Sequence, residues 1–260
     1  MMNITIDGKE IVSDKGKTIL ELAKESGIKI PTLCYHPALE PYGGCRLCLV
    51  EITKEVWKGW SKLVVSCAYP AEDGLIVKTN SSEVIEARKF IIELLLARTP
   101  SAKTIQDLAK EYGIEKSKFA EIAEMKEDKD SLKNCILCGL CVRVIGANVI
   151  SLAYRGVTRK VMTPYNEASD VCLNCGACAF VCPTGAIEIN DIIPYRKITA
   201  WHTESELKQC SLCEKYFVPV ILHNKLKEKV NINLDLNLLD LCPDCRRKKI
   251  GTTTILNLCK

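Results

Sequence analysis

Aromatic side chains are scarce in this sequence: four Phe, three Trp and eight Tyr make up 6% of 260 residues. Histidine is scarcer still, at three. No apolar run approaches the roughly 20 residues that cross a bilayer, so no membrane span is expected. The longest such run, FIIELLLA from Phe90 to Ala97, is interrupted by Glu93 and reads as a buried helix. The N-terminal stretch MMNITIDGKEIVSDKGK lacks the basic-then-apolar profile of a secretory signal, and the expected compartment is the cytoplasm. No GxGxxG phrase occurs, which leaves the chain without the dinucleotide fingerprint. The formal net charge of +4 is too small to argue for nucleic acid.

Cysteine is abundant by contrast. Sixteen are present, and fifteen fall into four spaced groups, with Cys259 left over. In a secreted mini-protein that number would suggest disulfides, but this chain is neither small nor led by a signal. Thiolates grouped at two-residue intervals in a cytoplasmic chain point to metal ligation.

Around these groups the pattern is α+β. Residues 2–6 alternate apolar and polar, Asp7-Gly8 supplies a two-residue hairpin turn, and a second strand runs through Val12. Thr18 with Glu21 predicts a capping box for a helix over ILELAKES, ended by Gly27. Further strands are predicted over 47–52, 63–66 and 75–78, and a helix over about 82–98. KTIQDLAKEY and SKFAEIAEM carry helical periodicity, and the charged stretch KEDKDSLK reads as a solvated connector.

Cys34, Cys45, Cys48 and Cys67 are spaced C-x10-C-x2-C-x18-C. Four thiolates saturate a 2Fe–2S cluster, two per iron, and Gly43 and Gly44 allow the backbone to turn its N–H groups toward the sulfurs. A zinc site is the bland alternative. His36 reads as packing, because four thiolates already complete the set. The phrase GGCRLCLVEI, with the ten-residue gap, resembles the N-terminal domain shared by complex I large iron–sulfur subunits, iron-only hydrogenases and hydrogenase diaphorase small subunits.

Cys135, Cys138 and Cys141 form NCILCGLC, while Cys172, Cys175, Cys178 and Cys182 form CLNCGACAFVCP. The two runs look like an internal duplication. C-x2-C-x2-C-x3-C-P signals cubane clusters, and in two-cluster ferredoxins the fourth cysteine of a run ligates the other cluster. By that rule Cys182 completes a 4Fe–4S site with Cys135, Cys138 and Cys141. The fourth ligand for Cys172, Cys175 and Cys178 would stand at 145, which is Ile145. That site is expected to hold a 3Fe–4S cluster or a three-cysteine 4Fe–4S cluster, unless another group such as Cys259 completes it. The segment from Gly146 to Ile187 resembles the corresponding part of complex I large iron–sulfur subunits and hydrogenase diaphorase small subunits. Many of those relatives carry an additional cluster with one His and three Cys ligands. Residues 94–119 here contain neither residue type, so that cluster is expected to be absent.

Cys210, Cys213, Cys242 and Cys245 give C-x2-C-x28-C-x2-C, the paired-knuckle spacing of a closed zinc site, with a 4Fe–4S cluster as the alternative. The basic run CRRKK has no interleaved aromatic residues and reads as a solvated face.

The expected organisation is therefore a 2Fe–2S ferredoxin-like (β-grasp) domain at 1–98 and a helical connector at 99–133. A two-cluster ferredoxin-like domain at 134–190 and a zinc-ribbon-like module at 191–260 follow. The resemblance implies a hetero-oligomeric electron-transfer subunit, relaying electrons between a flavoprotein NAD(P)H-oxidising subunit and another redox or catalytic subunit. Two rival readings come from other classes. One is a stand-alone regulator that reads nucleic acid through its zinc block; the other is an enzyme using an open iron as Lewis acid.

Overall fold

Met2, Ile4 and Ile6 on β1 (Met2–Ile6) point into the core while Asn3 and Thr5 point away, the period-two pattern the strand requires. Asp7 and Gly8 both take positive φ, as a type I′ hairpin demands, and deliver the chain into β2 (Lys9–Ser13). Asp7 is held there by Thr79, whose N–H donates to its carboxylate at 2.7 Å. The computed structural model describes residues 1–119, 121, 132–146, 149–229 and 236–258, with the backbone alone from 252 to 258. The predicted helix over 117–125 and the charged stretch after it lie largely outside these residues, and Cys259 wholly so.

The capping box forms as expected. Glu21 N–H donates to Thr18 Oγ1 at 3.3 Å, and Thr18 N–H donates to Glu21 Oε2 at 2.8 Å, opening α1 (Ile19–Glu25). The strands β3 (Leu49–Thr53), β4 (Ser61–Val65) and β5 (Leu75–Lys78) complete a mixed five-stranded sheet of order β2-β1-β5-β3-β4. Only the β1–β5 pairing, with Ile4 opposite Leu75, is parallel; the others are antiparallel. This is a β-grasp sheet. Its core joins Ile4, Ile6, Leu20, Val50, Ile52 and Leu75, each contributing about 1.5–3 kcal/mol by burial.

The helix α2 (Ser82–Arg98) is capped by Ser81 and buries Val84, Arg88 and Ile92 at four-residue intervals. Arg88 lies along β3, donating to Leu49 O at 2.7 Å. From α3 (Lys103–Glu111), Ile105 and Ala109 enter a second buried cluster with Leu33, Leu47, Ile92 and Leu140. The last of these opens α4 (Leu140–Ile145). A two-stranded ladder, β6 (Ser151–Ala153) with β7 (Lys160–Met162), follows.

The chain divides into two compact units. The first holds residues 1–146, 152–161 and 181–186; the second holds 147–151, 162–180 and 187–260. In the second, the short α5 (Ala177–Phe180) precedes an antiparallel sheet of order β11-β10-β9-β8. Its strands are β8 (Asn190–Ile192), β9 (Tyr195–Ile198), β10 (Thr203–Gln209) and β11 (Tyr216–Pro219). Two helices, α6 (Val220–Lys229) and α7 (Pro243–Leu258), complete it. Among the described residues no helix is long and apolar enough to cross a membrane.

Candidate iron–sulfur and metal centres

No disulfide joins any of the fifteen described cysteines. Cys34, Cys45, Cys48 and Cys67 are all buried at one end of the β-grasp sheet. Cys48 leads into β3 and Cys67 follows β4; Ser66 ties them, its N–H and Oγ both donating to Cys48 O, at 3.0 and 2.8 Å. The four thiols are electrostatically coupled in two pairs, Cys34 with Cys45 and Cys48 with Cys67. In each pair the hydrogen bond from the partner thiol holds one sulfur, Cys34 or Cys48, at a pKa of about 6. The shared bond and burial push the other, Cys45 or Cys67, well above the ordinary thiol range. Backbone N–H groups of Cys45 and Gly44 also point at Cys34 Sγ, the former at 3.4 Å. A side chain at 44 would meet the Tyr42 ring at 2.4 Å, so glycine allows this approach. His36 takes no part: its Nδ1 accepts from Ala38 N–H at 3.2 Å within its own turn.

Cys135, Cys138, Cys141 and Cys182 fall in the same unit, although about forty residues separate Cys182 from the triplet in sequence. The Cys182 turn is anchored by Thr104 on α3, which donates to Pro183 O at 2.7 Å. Amides again face sulfur: Leu137 N–H donates to Cys135 Sγ at 3.4 Å and Ala186 N–H to Cys182 Sγ at 3.3 Å. Burial pushes the Cys138 thiol up to about 11, and the neighbouring sulfurs of Cys135, Cys182 and Cys34 push the same way. Cys34 and Cys45 of the first group and Cys138 of the second belong to one continuous apolar cluster.

Two arginines link these loops reciprocally. Arg98, at the end of α2, donates from Nε to Cys135 O at 3.0 Å. Arg143, on α4, donates to Glu40 O at 2.6 Å and to Cys34 O at 2.5 Å. Each of these two cysteine loops is thus held by a guanidinium from the other's module. Neither arginine was singled out by its sequence context, and the only hint is Arg143's place two residues after Cys141.

Cys172, Cys175 and Cys178 lie in the second unit. The duplication is visible in the backbone: Leu137 and Asn174 occupy matching positions and both adopt positive φ, as do Gly139 and Gly176. Cys178 is buried at the start of α5, and Trp201 donates from Nε1 to its Sγ at 3.3 Å. Nothing in the sequence singled out Trp201. Ile145 closes α4 in the first unit.

In the C-terminal block the structure brings the four expected residues together. The sulfurs of Cys210, Cys213, Cys242 and Cys245 all lie within 4.8 Å of one another. Cys213 and Cys242 are 3.7 Å apart, close to the roughly 3.8 Å edge of a tetrahedron built on metal–sulfur bonds of about 2.3 Å. The β10–β11 hairpin supplies the first knuckle. The second opens α7, with Cys242 N–H donating to Cys210 Sγ at 3.2 Å. Burial raises Cys210, but the amides of Cys242, Leu212 and Cys213 outweigh it and hold the thiol at about 6. Hydrogen bonds with Cys213 and Cys242 push Cys245 up to about 12. Behind the knuckles, Asp240 accepts Ser211 N–H at its backbone oxygen and receives Lys208 and Lys227 at its carboxylate. The basic run is partly engaged internally, since Arg246 donates to Leu238 O and Leu241 O and Arg247 pairs with Asp244.

Grouped cysteine sulfurs faced by backbone amides are the arrangement of iron–sulfur and related metal-binding proteins. Comparison with known proteins gives the particulars. The chain matches the 2Fe-2S iron-sulfur cluster binding domain over residues 1–82 and the 4Fe-4S dicluster domain over residues 134–186. It is similar to an NADP-reducing hydrogenase subunit of Solidesulfovibrio fructosivorans, 38% identical over 220 residues, covering 74% of this chain and 37% of that protein. It is 32% identical over 236 residues to a subunit of the NADH-quinone oxidoreductase of Rhizobium meliloti, covering 82% of this chain and 27% of the relative. The chain therefore spans well under half the length of these curated relatives. Among solved structures it resembles a chain of an NAD+-reducing [NiFe]-hydrogenase in the H2-reduced state. That match has 27% identity and a TM-score of 0.58, covering 76% of this chain and 88% of that one. The resemblance to hydrogenase and complex I iron–sulfur subunits expected from the motifs is thereby shown.

Proposed function

We propose that this chain relays single electrons between a flavoprotein partner that oxidises NAD(P)H and a further redox or catalytic subunit, within a cytoplasmic hetero-oligomer. In this reading Cys34 and Cys45 hold one iron of a 2Fe–2S cluster and Cys48 and Cys67 the other, as the two thiol pairs suggest. Cys135, Cys138, Cys141 and Cys182 hold a 4Fe–4S cluster. Cys172, Cys175 and Cys178 supply three thiolates to a third cluster, of 3Fe–4S type or with one iron lacking a cysteine. The tetrahedral spacing of Cys210, Cys213, Cys242 and Cys245 favours a single zinc ion over a cubane, which needs sulfurs farther apart.

The bound clusters supply one-electron chemistry; the chain's own residues set its conditions. The observation that carries the reading is the shared core of the first unit, where Cys34, Cys45 and Cys138 are packed in one apolar cluster. Leu33, Leu47, Ile92 and Leu140 are buried in the same cluster and make the surroundings of these cysteines apolar. The amides of Gly44, Cys45, Leu137 and Ala186 stabilise negative charge on the sulfurs.

The test uses the anaerobically purified chain. Alone, without a dinucleotide motif, it should not be bleached by NADH. With an NADH-oxidising flavoprotein subunit added, its visible absorbance should bleach at a rate dependent on that subunit. Bleaching by NADH of the chain alone would overturn the relay reading and require a flavin site within it.

A further inference from the structure

The second ligand triplet is gripped at three points by one stretch of the C-terminal part of the chain. Asn174, between Cys172 and Cys175, donates from Nδ2 to Arg196 O on β9 at 2.8 Å. Gly176 faces Ile189 so closely that a Cβ there would sit 2.6 Å from its Cδ1. Trp201, 1% exposed, donates to Cys178 Sγ at 3.3 Å. Arg196, paired with Asp191 at 2.8 Å, also lies within electrostatic reach of Cys175. Residues 187–201 therefore bring to this triplet a buried N–H donor and, in the Arg196–Asp191 ion pair, a guanidinium near Cys175.

We propose that residues 187–201 raise the reduction potential of the cluster held by Cys172, Cys175 and Cys178, with Trp201 as the positioning residue that acts through Cys178 Sγ. This inference rests on the proposed function, which places a cluster at that triplet. Reduction adds one negative charge to a cluster and its sulfurs, and an N–H aimed at a ligand sulfur stabilises the more negative state more strongly. The indole suits this task because its nitrogen can only donate, so it cannot turn a lone pair toward the sulfur. Burial keeps water from replacing the bond and keeps the local dielectric low, which enlarges the effect.

The experiment is a redox titration of the anaerobically purified chain, followed by electron paramagnetic resonance, with iron analysis of each sample. Trp201→Phe keeps a buried ring and removes the N–H. The expected result is an unchanged iron content and an unchanged 2Fe–2S midpoint. The reduction equilibrium of the third cluster should fall by between about threefold and tenfold, tenfold being about 59 mV for a one-electron couple. An unmoved potential at full iron content overturns this inference and leaves the relay reading intact. A wild-type chain with no third cluster signal overturns the assignment of a cluster to Cys172, Cys175 and Cys178, and this inference with it. If the variant does not fold, the wild type still decides. Electron–nuclear double resonance on the half-integer-spin state of its third cluster (oxidised for 3Fe–4S, reduced for 4Fe–4S), with tryptophan isotopically labelled at the indole nitrogen, should show coupling to that nitrogen and to an exchangeable proton. Trp57 and Trp60 belong to the first unit and serve as background. Absence of both couplings overturns the proposal.

Discussion

An isoleucine offers no lone pair to an iron, and Ile145 stands where the duplicated cysteine spacing calls for a fourth sulfur. The consequence belongs to a single side chain. A cluster held by Cys172, Cys175 and Cys178 alone has one corner without protein thiolate, and an iron there is the easiest to lose. The oxidised protein should therefore show the paramagnetic signal of a 3Fe–4S cluster, or hold a 4Fe–4S cluster, silent when oxidised, whose iron without a cysteine is readily lost. Ile145→Cys should remove that signal and add about one iron per chain. A silent oxidised protein with full iron, unchanged in the variant, would show that the site is complete without a residue at 145. The two iron–sulfur domains and the four-cysteine set at the C-terminal end were legible in the sequence because metal ligation restricts residue type and spacing so tightly. Trp201 was not: its partner Cys178 is 23 residues away, and an isolated tryptophan in sequence looks like any other core residue.

At the scale of elements, the hairpin at Asp7-Gly8, the Thr18 capping box and the helix over 82–98 could be read directly, because each depends on residues adjacent in sequence. Strand boundaries slipped where a ligand interrupts the pattern. Leu47 and Cys48 continue the apolar run into β3, yet they belong to the cysteine loop, and β3 starts at Leu49. The expected strand over 63–66 lies earlier, at Ser61–Val65, because Ser66 leaves the ladder to bond Cys48 O. The reciprocal arginines were invisible for a different reason: Arg143 reaches a carbonyl 109 residues away, and Arg98 one 37 residues away. Their effect can be measured. Arg143→Met removes two charge-assisted hydrogen bonds that tie the loop carrying Cys34 to α4. Allowing for partial exposure, this should loosen the loop by about 2 kcal/mol, or roughly thirtyfold faster amide hydrogen exchange at residues 40–45. Exchange elsewhere in the β-grasp sheet, for instance along β1, should stay as it was. Unaltered exchange at 40–45 would mean that the loop is held by its own cysteines and not by α4.

For the whole molecule, the four cysteine groups divide into two uses of the same ligand. Eleven described cysteines in three groups are assigned to clusters, with ordered amides facing the sulfurs, while the last four sit at the spacing of one tetrahedral ion. The most direct measurement of that account is elemental analysis of the anaerobically purified chain, joined to a reductive titration of its electron capacity. One 2Fe–2S cluster, one 4Fe–4S cluster, one cluster of three or four irons and one structural ion predict about nine or ten irons and one zinc, with about three electrons taken up per chain. About fourteen irons and no zinc, with a fourth electron, would contradict the zinc assignment. A chain that binds zinc throughout and takes up no electrons would contradict the relay itself.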